Sequence, residues 1–125
     1  MLRKFTVCLA AIFMCAPALA HHNYRANFDD STDISLHGVI TNISWANPHI
    51  TIHLEVRLDN GDVAKWTLPT AAPNVARRNG LTAAVLDAGD EVTVVGWPAR
   101  DKSLQMRARL LVKADGTEYL LHPTR

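Results

Sequence analysis

Apolar and polar residues alternate along much of this chain. From His49 to Leu58 every even position is apolar and every odd position is polar or charged. A period of two with several β-branched residues is typical of a strand that buries one face. The pattern therefore predicts a half-buried strand over this segment. A similar alternation predicts the preceding strand, in which Val39, Thr41, Ile43 and Trp45 form one alternate set.

Turn residues divide the rest of the chain into further short elements. Asn60-Gly61 favours a tight turn, because both residues tolerate positive φ, and a third strand is expected after it at Val63–Leu68. A helix is expected between Pro73 and Gly80, since proline suits a first helical turn and glycine a C-terminal cap. The remaining predicted strands are Glu91–Trp97, Met106–Val112 and a short terminal one at Glu118–Leu121.

The order of these elements predicts the fold. Three strands, a helical connection, two strands and a terminal extension follow one another, which is the order of the oligonucleotide/oligosaccharide-binding (OB) barrel. We expect an all-β domain with one short helix, built as a small five-stranded OB-like barrel, because closure removes the exposed strand edges. A small open sandwich of the same strands is the alternative, since strand order alone does not establish closure.

The N-terminus has the parts of a secretory signal peptide. Arg3 and Lys4 form a positive region, residues 5–16 are almost entirely apolar, and Ala18-Leu19-Ala20 is a small-x-small cleavage site. Cleavage after Ala20 would export a bacterial protein to the periplasm or the medium. The expected division is a signal peptide at 1–20, an irregular N-terminal arm at 21–35 and the OB-like β-barrel domain at 36–125.

Composition narrows the range of functions. Both cysteines, Cys8 and Cys15, lie in the predicted signal, so disulfides and thiolate ligands are not expected in the exported chain. The 13 basic and 12 acidic residues nearly cancel, which does not favour binding to nucleic acid or, after signal cleavage, to a membrane. The nucleophile, zinc-protease and phosphate-loop motifs of common enzymes are absent from the sequence. We therefore expect a non-catalytic protein.

Histidine is the residue type that offers chemistry here. Cleavage after Ala20 would make His21 the N-terminal residue, whose α-amine and imidazole Nδ1 can chelate one ion. A second imidazole would complete a T-shaped set of three nitrogens that suits Cu(II). His22 is a candidate with awkward local geometry, and His49, which follows a proline turn, is the favoured partner. His53 is on the same strand, about 13 Å along from His49, which is too far for a shared ion.

Each of these features also has an ordinary structural interpretation. His21 and His22 could simply be solvated after processing, and Asn47-Pro48 could serve only to form a bend before His49. The three tryptophans are most simply core or barrel-wall residues: Trp45, Trp66 and Trp97. Four arginines could form a basic patch, for which a solvated face is the favoured interpretation: Arg77, Arg78, Arg107 and Arg109.

Several motifs together resemble a known family. They are Ala20-His21-His22 after a signal, Trp45-Ala46-Asn47-Pro48-His49, Trp66 in the third strand, Pro73-Asn74 and Gly89-Asp90. The chain resembles a family of small exported bacterial proteins of unknown function. The resemblance implies export and a small β-rich domain, and it implies no activity.

Two functions from different classes follow. The first is an exported non-catalytic binding module that holds copper or a related metal through its N-terminal histidine, with His21, His22 and His49 as candidate ligands. The second is a metal-free interaction domain that binds a partner protein or a glycan in the periplasm. The position of His49 relative to the N-terminus would separate them.

Overall fold

A computed structural model describes residues 24–122 of the chain. Eight elements follow one another in it: α1 (Tyr24–Asn27), β1 (Ile34–Ser44), β2 (Thr51–Arg57), β3 (Val63–Pro69), α2 (Pro73–Arg78), β4 (Glu91–Pro98), β5 (Met106–Lys113) and β6 (Glu118–Leu120). The predicted β-rich fold with its helix between the third and fourth strands is therefore confirmed. No helix within these residues is long and apolar enough to cross a membrane.

The strands form one antiparallel sheet of six, in the order β3-β2-β1-β4-β5-β6. The long strand β1 lies between β2 and β4 and divides its length between them. Its first half, Ile34 to Val39, pairs with β4, and its second half, Val39 to Ser44, pairs with β2. Val39 is the point of overlap, where both neighbours are hydrogen-bonded in register.

The prediction of a closed five-stranded barrel was wrong for the described chain, whose sheet has six strands and is not closed. The terminal segment supplies the physical reason. It forms β6, which pairs with Leu110 to Val112 and so occupies the edge of β5 that closure would need. β3 lies near β5 but forms no continuous ladder with it: Thr67 and Gln105 form an isolated parallel bridge, and the Thr67 amide donates to the Leu104 carbonyl at 3.0 Å.

The alternation predicted for β2 is observed in its first part. Ile50, Ile52 and Leu54 are buried, whereas the side chain of Leu58, beyond the strand, is 45% exposed. Ile50, Ile52 and Leu54 belong to one core cluster, whose other members include Ile40, Leu68, Val92, Val94, Met106 and Leu111. The apolar face of β2 is therefore the inner face of the sheet.

The alternate set Val39, Thr41, Ile43 and Trp45 does not lie on one face of the sheet. Val39 is 42% exposed and Ile40 is buried, because the register shifts between Ile40 and Asn42. An extra residue at a bulge reverses the alternation of side chains between the two faces. Beyond the bulge Ile43 and Trp45 pack against the core, whereas Val39 and Thr41 are exposed.

The segment predicted as an irregular arm is held against the sheet where the structure describes it. Phe28 is buried and bridges Ala99, and the Asp29 amide donates to the Pro98 carbonyl at 2.9 Å. β1 then begins at Ile34, two residues before the expected domain boundary. Because a buried aromatic side chain contributes much apolar area, this docking fixes the position of α1.

Candidate functional site

The loop before β2 brings His49 to the docked helix α1. The peptide bond between Asn47 and Pro48 is cis, and His49 follows it directly. The Tyr24 hydroxyl contacts Nε2 of His49 and lies 2.9 Å from Nδ1. The two ring centroids are 5.1 Å apart with a tilt of 59°. Both side chains are partly buried, so the imidazole is held in one orientation by the phenol.

A buried arginine lies against the other side of this pair. The guanidinium carbon of Arg107 is 3.5 Å from the centre of the Tyr24 ring. Its Nη1 donates to the Thr70 carbonyl at 2.5 Å, and its Nε has no hydrogen-bond partner among the residues described. Only 3% of Arg107 is exposed. Burial lowers the pKa of Arg107 below its usual value, and Tyr24 partly opposes that shift.

A pocket of about 400 Å³ opens beside Tyr24 and His49. Its wall has apolar and polar parts. They come from α1 and the residue after it, the loop before β2, the end of β3 and the segment after β4. The lining residues include Phe28, Pro69, Arg100, Ser103 and Gln105. Tyr24 and His49 therefore present a hydroxyl and an imidazole to a cavity of the size that takes a small ligand.

Of the three candidate ligands, the structure describes one. His49 lies at the site, whereas His21 and His22 lie outside the described residues. Between Tyr24 and His122, no three side chains of the His, Cys, Asp or Glu type are grouped so that they could hold a metal ion.

The other histidines are in separate surroundings. His53 lies within β2, opposite Asn42 and Thr67 on the neighbouring strands. On β1, His37 is 2.8 Å from a Glu91 carboxylate oxygen and 3.1 Å from the Thr93 hydroxyl. The ring of His122 lies 5.9 Å from that of Trp97. Each of these three imidazoles has neighbours other than the Tyr24–His49 pair.

Two residues of the site, Tyr24 and Arg107, were not predicted from the sequence. Tyr24 gave no signal, because a tyrosine near an expected cleavage site has no distinctive pattern. Arg107 was assigned to a basic patch with a solvated face, but the structure buries it beneath Tyr24. Its neighbour Arg109 pairs with Asp33 at 2.7 Å and lies 5.1 Å from the Trp97 ring, so these two arginines do not form a free basic patch.

The tryptophans fit their structural interpretation. Trp97 is buried, and Trp45 and Trp66 are partly buried and pack against the core. They are therefore not exposed together as one platform on which a sugar could stack.

Comparison with known proteins agrees with the resemblance noted in the sequence. A search of curated proteins found no match to this chain. The profile of a family of unknown function, DUF6152, matches residues 9–107. That span includes the Trp45–His49 element, the docked helix α1 and Arg107. The chain belongs to the DUF6152 family, a family of unknown function.

Proposed function

We propose that this protein is an exported, non-catalytic binding module that holds Cu(II) or a related metal between its processed N-terminus and His49. The contact between Tyr24 and His49 carries the proposal. Tyr24 is three residues after His21, and three residues span at most about 10 Å. A docked α1 would therefore leave the expected N-terminal residue within reach of the His49 imidazole.

The donor chemistry supports copper. After cleavage before His21, its α-amine and Nδ1 can chelate one ion, and His49 would add a second imidazole. Imidazole and amine nitrogens in a tetragonal arrangement suit Cu(II), and Tyr24 would orient His49 as outer-shell partners orient metal-bound histidines. His22 remains the alternative source of the second imidazole.

The domain that carries this site is proposed to be an open relative of the OB architecture. Three features support that assignment: β1 is shared by β2 and β4, α2 connects β3 to β4, and Thr67 bridges Gln105 in parallel. Slow hydrogen exchange of the Thr67 amide, which donates to Leu104, would support a persistent contact between β3 and the start of β5.

Calorimetric titration of the exported protein with Cu(II) tests the metal site. His21→Ala is expected to weaken Cu(II) binding severely, because it removes the imidazole that forms a chelate ring with the α-amine. His49→Ala is expected to weaken it substantially, and His22→Ala less. The matched control is His53→Ala on β2, which should bind as the unsubstituted protein does.

A second variant tests the amine. One alanine added ahead of His21 leaves every side chain in place but moves the α-amine out of the chelate ring, so Cu(II) affinity should fall. Equal binding by all variants, or binding no tighter than that of an unstructured histidine peptide, would contradict the proposal. The metal-free interaction domain, with a protein or glycan partner, would then be the better description.

A further inference from the structure

Arg107 places a charged side chain in the protein interior, where few contacts compensate the charge. Among residues 24–122 no carboxylate forms an ion pair with it, and one of its N–H groups has no acceptor. Burying an unpaired charge is costly, and an apolar side chain of similar volume would often be tolerated better. The position of this guanidinium therefore needs an explanation other than core packing.

Its two close neighbours supply that explanation. The Thr70 carbonyl accepts from Nη1 at 2.5 Å, and the Tyr24 ring lies over the guanidinium at 3.5 Å. A planar guanidinium stacks well on an aromatic face, and this attraction is stronger where water is excluded. If Tyr24 moved away, Arg107 would lose one of its two compensating contacts. The buried charge therefore favours the state in which α1 is docked.

The other contacts of this segment lie further along the chain. Arg100 donates from Nε to the Arg25 carbonyl and from its amide to the Asn27 carbonyl, each at 2.9 Å. Phe28 follows as the buried anchor. Tyr24 is the first described residue, so among the contacts of residues 24–122 its stacking on Arg107 is the one closest to the expected N-terminus.

We propose that Arg107 is a positioning residue, whose buried guanidinium clamps the Tyr24 ring and so holds the start of the exported chain against His49. The consequence for metal binding rests on the proposed function. The clamp itself does not, because it is a property of the metal-free protein. The stacking requires the ring of Tyr24, and the contact with His49 requires its hydroxyl, so the two roles of Tyr24 can be separated by substitution.

Limited trypsin digestion of the metal-free exported protein tests the clamp. The Arg25 side chain is 73% exposed, but the bond after it lies in α1 and can be cut only when that turn opens. Arg107→Met and Tyr24→Leu are each expected to speed cleavage after Arg25 about tenfold, the loss expected for one desolvated cation–π contact. Cleavage after Arg57, at the end of β2, reports global unfolding and serves as the internal control.

The double variant and Tyr24→Phe make the test specific. Arg107→Met combined with Tyr24→Leu should cleave no faster than either single variant, because both remove the same contact. Tyr24→Phe keeps the stacked ring, so its cleavage after Arg25 should be slower than that of Tyr24→Leu, yet it should bind Cu(II) more weakly because His49 loses its hydroxyl partner. Additive effects of the two substitutions, or an unchanged rate in Arg107→Met, would overturn the proposal.

A global loss of stability in Arg107→Met would appear as equal acceleration after Arg25 and Arg57. Arg107→Lys then decides, since it keeps the charge but lacks the planar stack, and it should speed cleavage after Arg25 alone. No selective increase in that variant would refute the clamp. Failure of the unsubstituted protein to bind Cu(II) would refute the metal site and leave the digestion result to stand by itself.

Discussion

The Tyr24 hydroxyl contacts the His49 imidazole across 25 positions of sequence. This contact joins the first described turn of the chain to the loop that precedes β2. His49 is the predicted ligand that lies within the described residues, and its partner comes from the segment that would follow the processed N-terminus. The proposed metal site depends on this pair, and the proposed clamp at Arg107 acts on the ring of its Tyr24.

The exported protein is expected to begin at His21. The positive region, the apolar run and Ala18-Leu19-Ala20 together form a cleavage signal, which requires small residues at its end. Intact mass and N-terminal sequencing of periplasmic protein check this. Ala20→Lys is the control and should leave the precursor uncut. Any other starting residue would contradict the chelating amine as well, because the amine must belong to His21.

Leu54→Ala is expected to destabilise the domain by about 2–5 kcal/mol, the usual range for a buried leucine that leaves a cavity. Leu54 is 1% exposed, while Leu58, four residues further along, is 45% exposed. Leu58→Ala should therefore change the free energy of unfolding by less than about 1 kcal/mol. Urea unfolding followed by tryptophan fluorescence measures both, and equal losses would contradict the assignment of the inner face.

Gly96→Ala is expected to destabilise the domain by more than about 2 kcal/mol, as severe overpacking does. A Cβ at Gly96 would lie 2.1 Å from the Arg107 carbonyl oxygen, at the point where β4 and β5 shift register. A Cβ at Gly116 would have no atom within 4 Å. Gly116→Ala should therefore destabilise the domain only through the backbone strain of a φ of 87°, by about 1–2 kcal/mol. Thermal unfolding of both variants checks the order, and a milder effect at Gly96 would contradict this close approach of the strands.

Ser31→Ala is expected to raise the pKa of Asp29 towards its usual value. The Ser31 hydroxyl donates to the Asp29 carboxylate at 2.6 Å, and its amide does so at 3.1 Å, and these bonds lower the pKa of that carboxyl. A carboxyl whose pKa is lowered by folding stabilises the fold above its unfolded pKa, and the contribution is lost as pH falls through the folded value. The variant should lose less stability on acidification.

Carboxyl chemical shifts in an NMR titration measure this effect. Ser103→Ala is the matched control, because Ser103 lowers the pKa of Asp101 in the same way at a separate turn. Each substitution should shift its own carboxyl and leave the other unchanged. A pKa of Asp29 that did not respond to Ser31→Ala would contradict the hydrogen-bonded turn.

The faces of β2 and the bounds of α2 were predictable because their signals are local. Alternation places side chains by a period of two, and Pro73 and Gly80 mark a helix by their own backbone preferences. The faces of β1 could not be predicted along its whole length, since the bulge between Ile40 and Asn42 reverses the alternation and arises from how one strand fits against another. Closure of the sheet was mispredicted for a related reason: β6 competes for the edge of β5, and strand order contains no information about that competition.

The sequence by itself determined the β-rich fold and the helix between the third and fourth strands, and it proposed His49, which follows a proline bend, as a candidate ligand. Only the tertiary structure decided that Tyr24 meets His49 and that Arg107 is buried beneath Tyr24. Local patterns report the backbone and the face on which a residue lies. A contact between residues 24, 49 and 107 depends on how three distant segments pack, and an arginine in a strand has the same local pattern whether water or an aromatic ring compensates its charge.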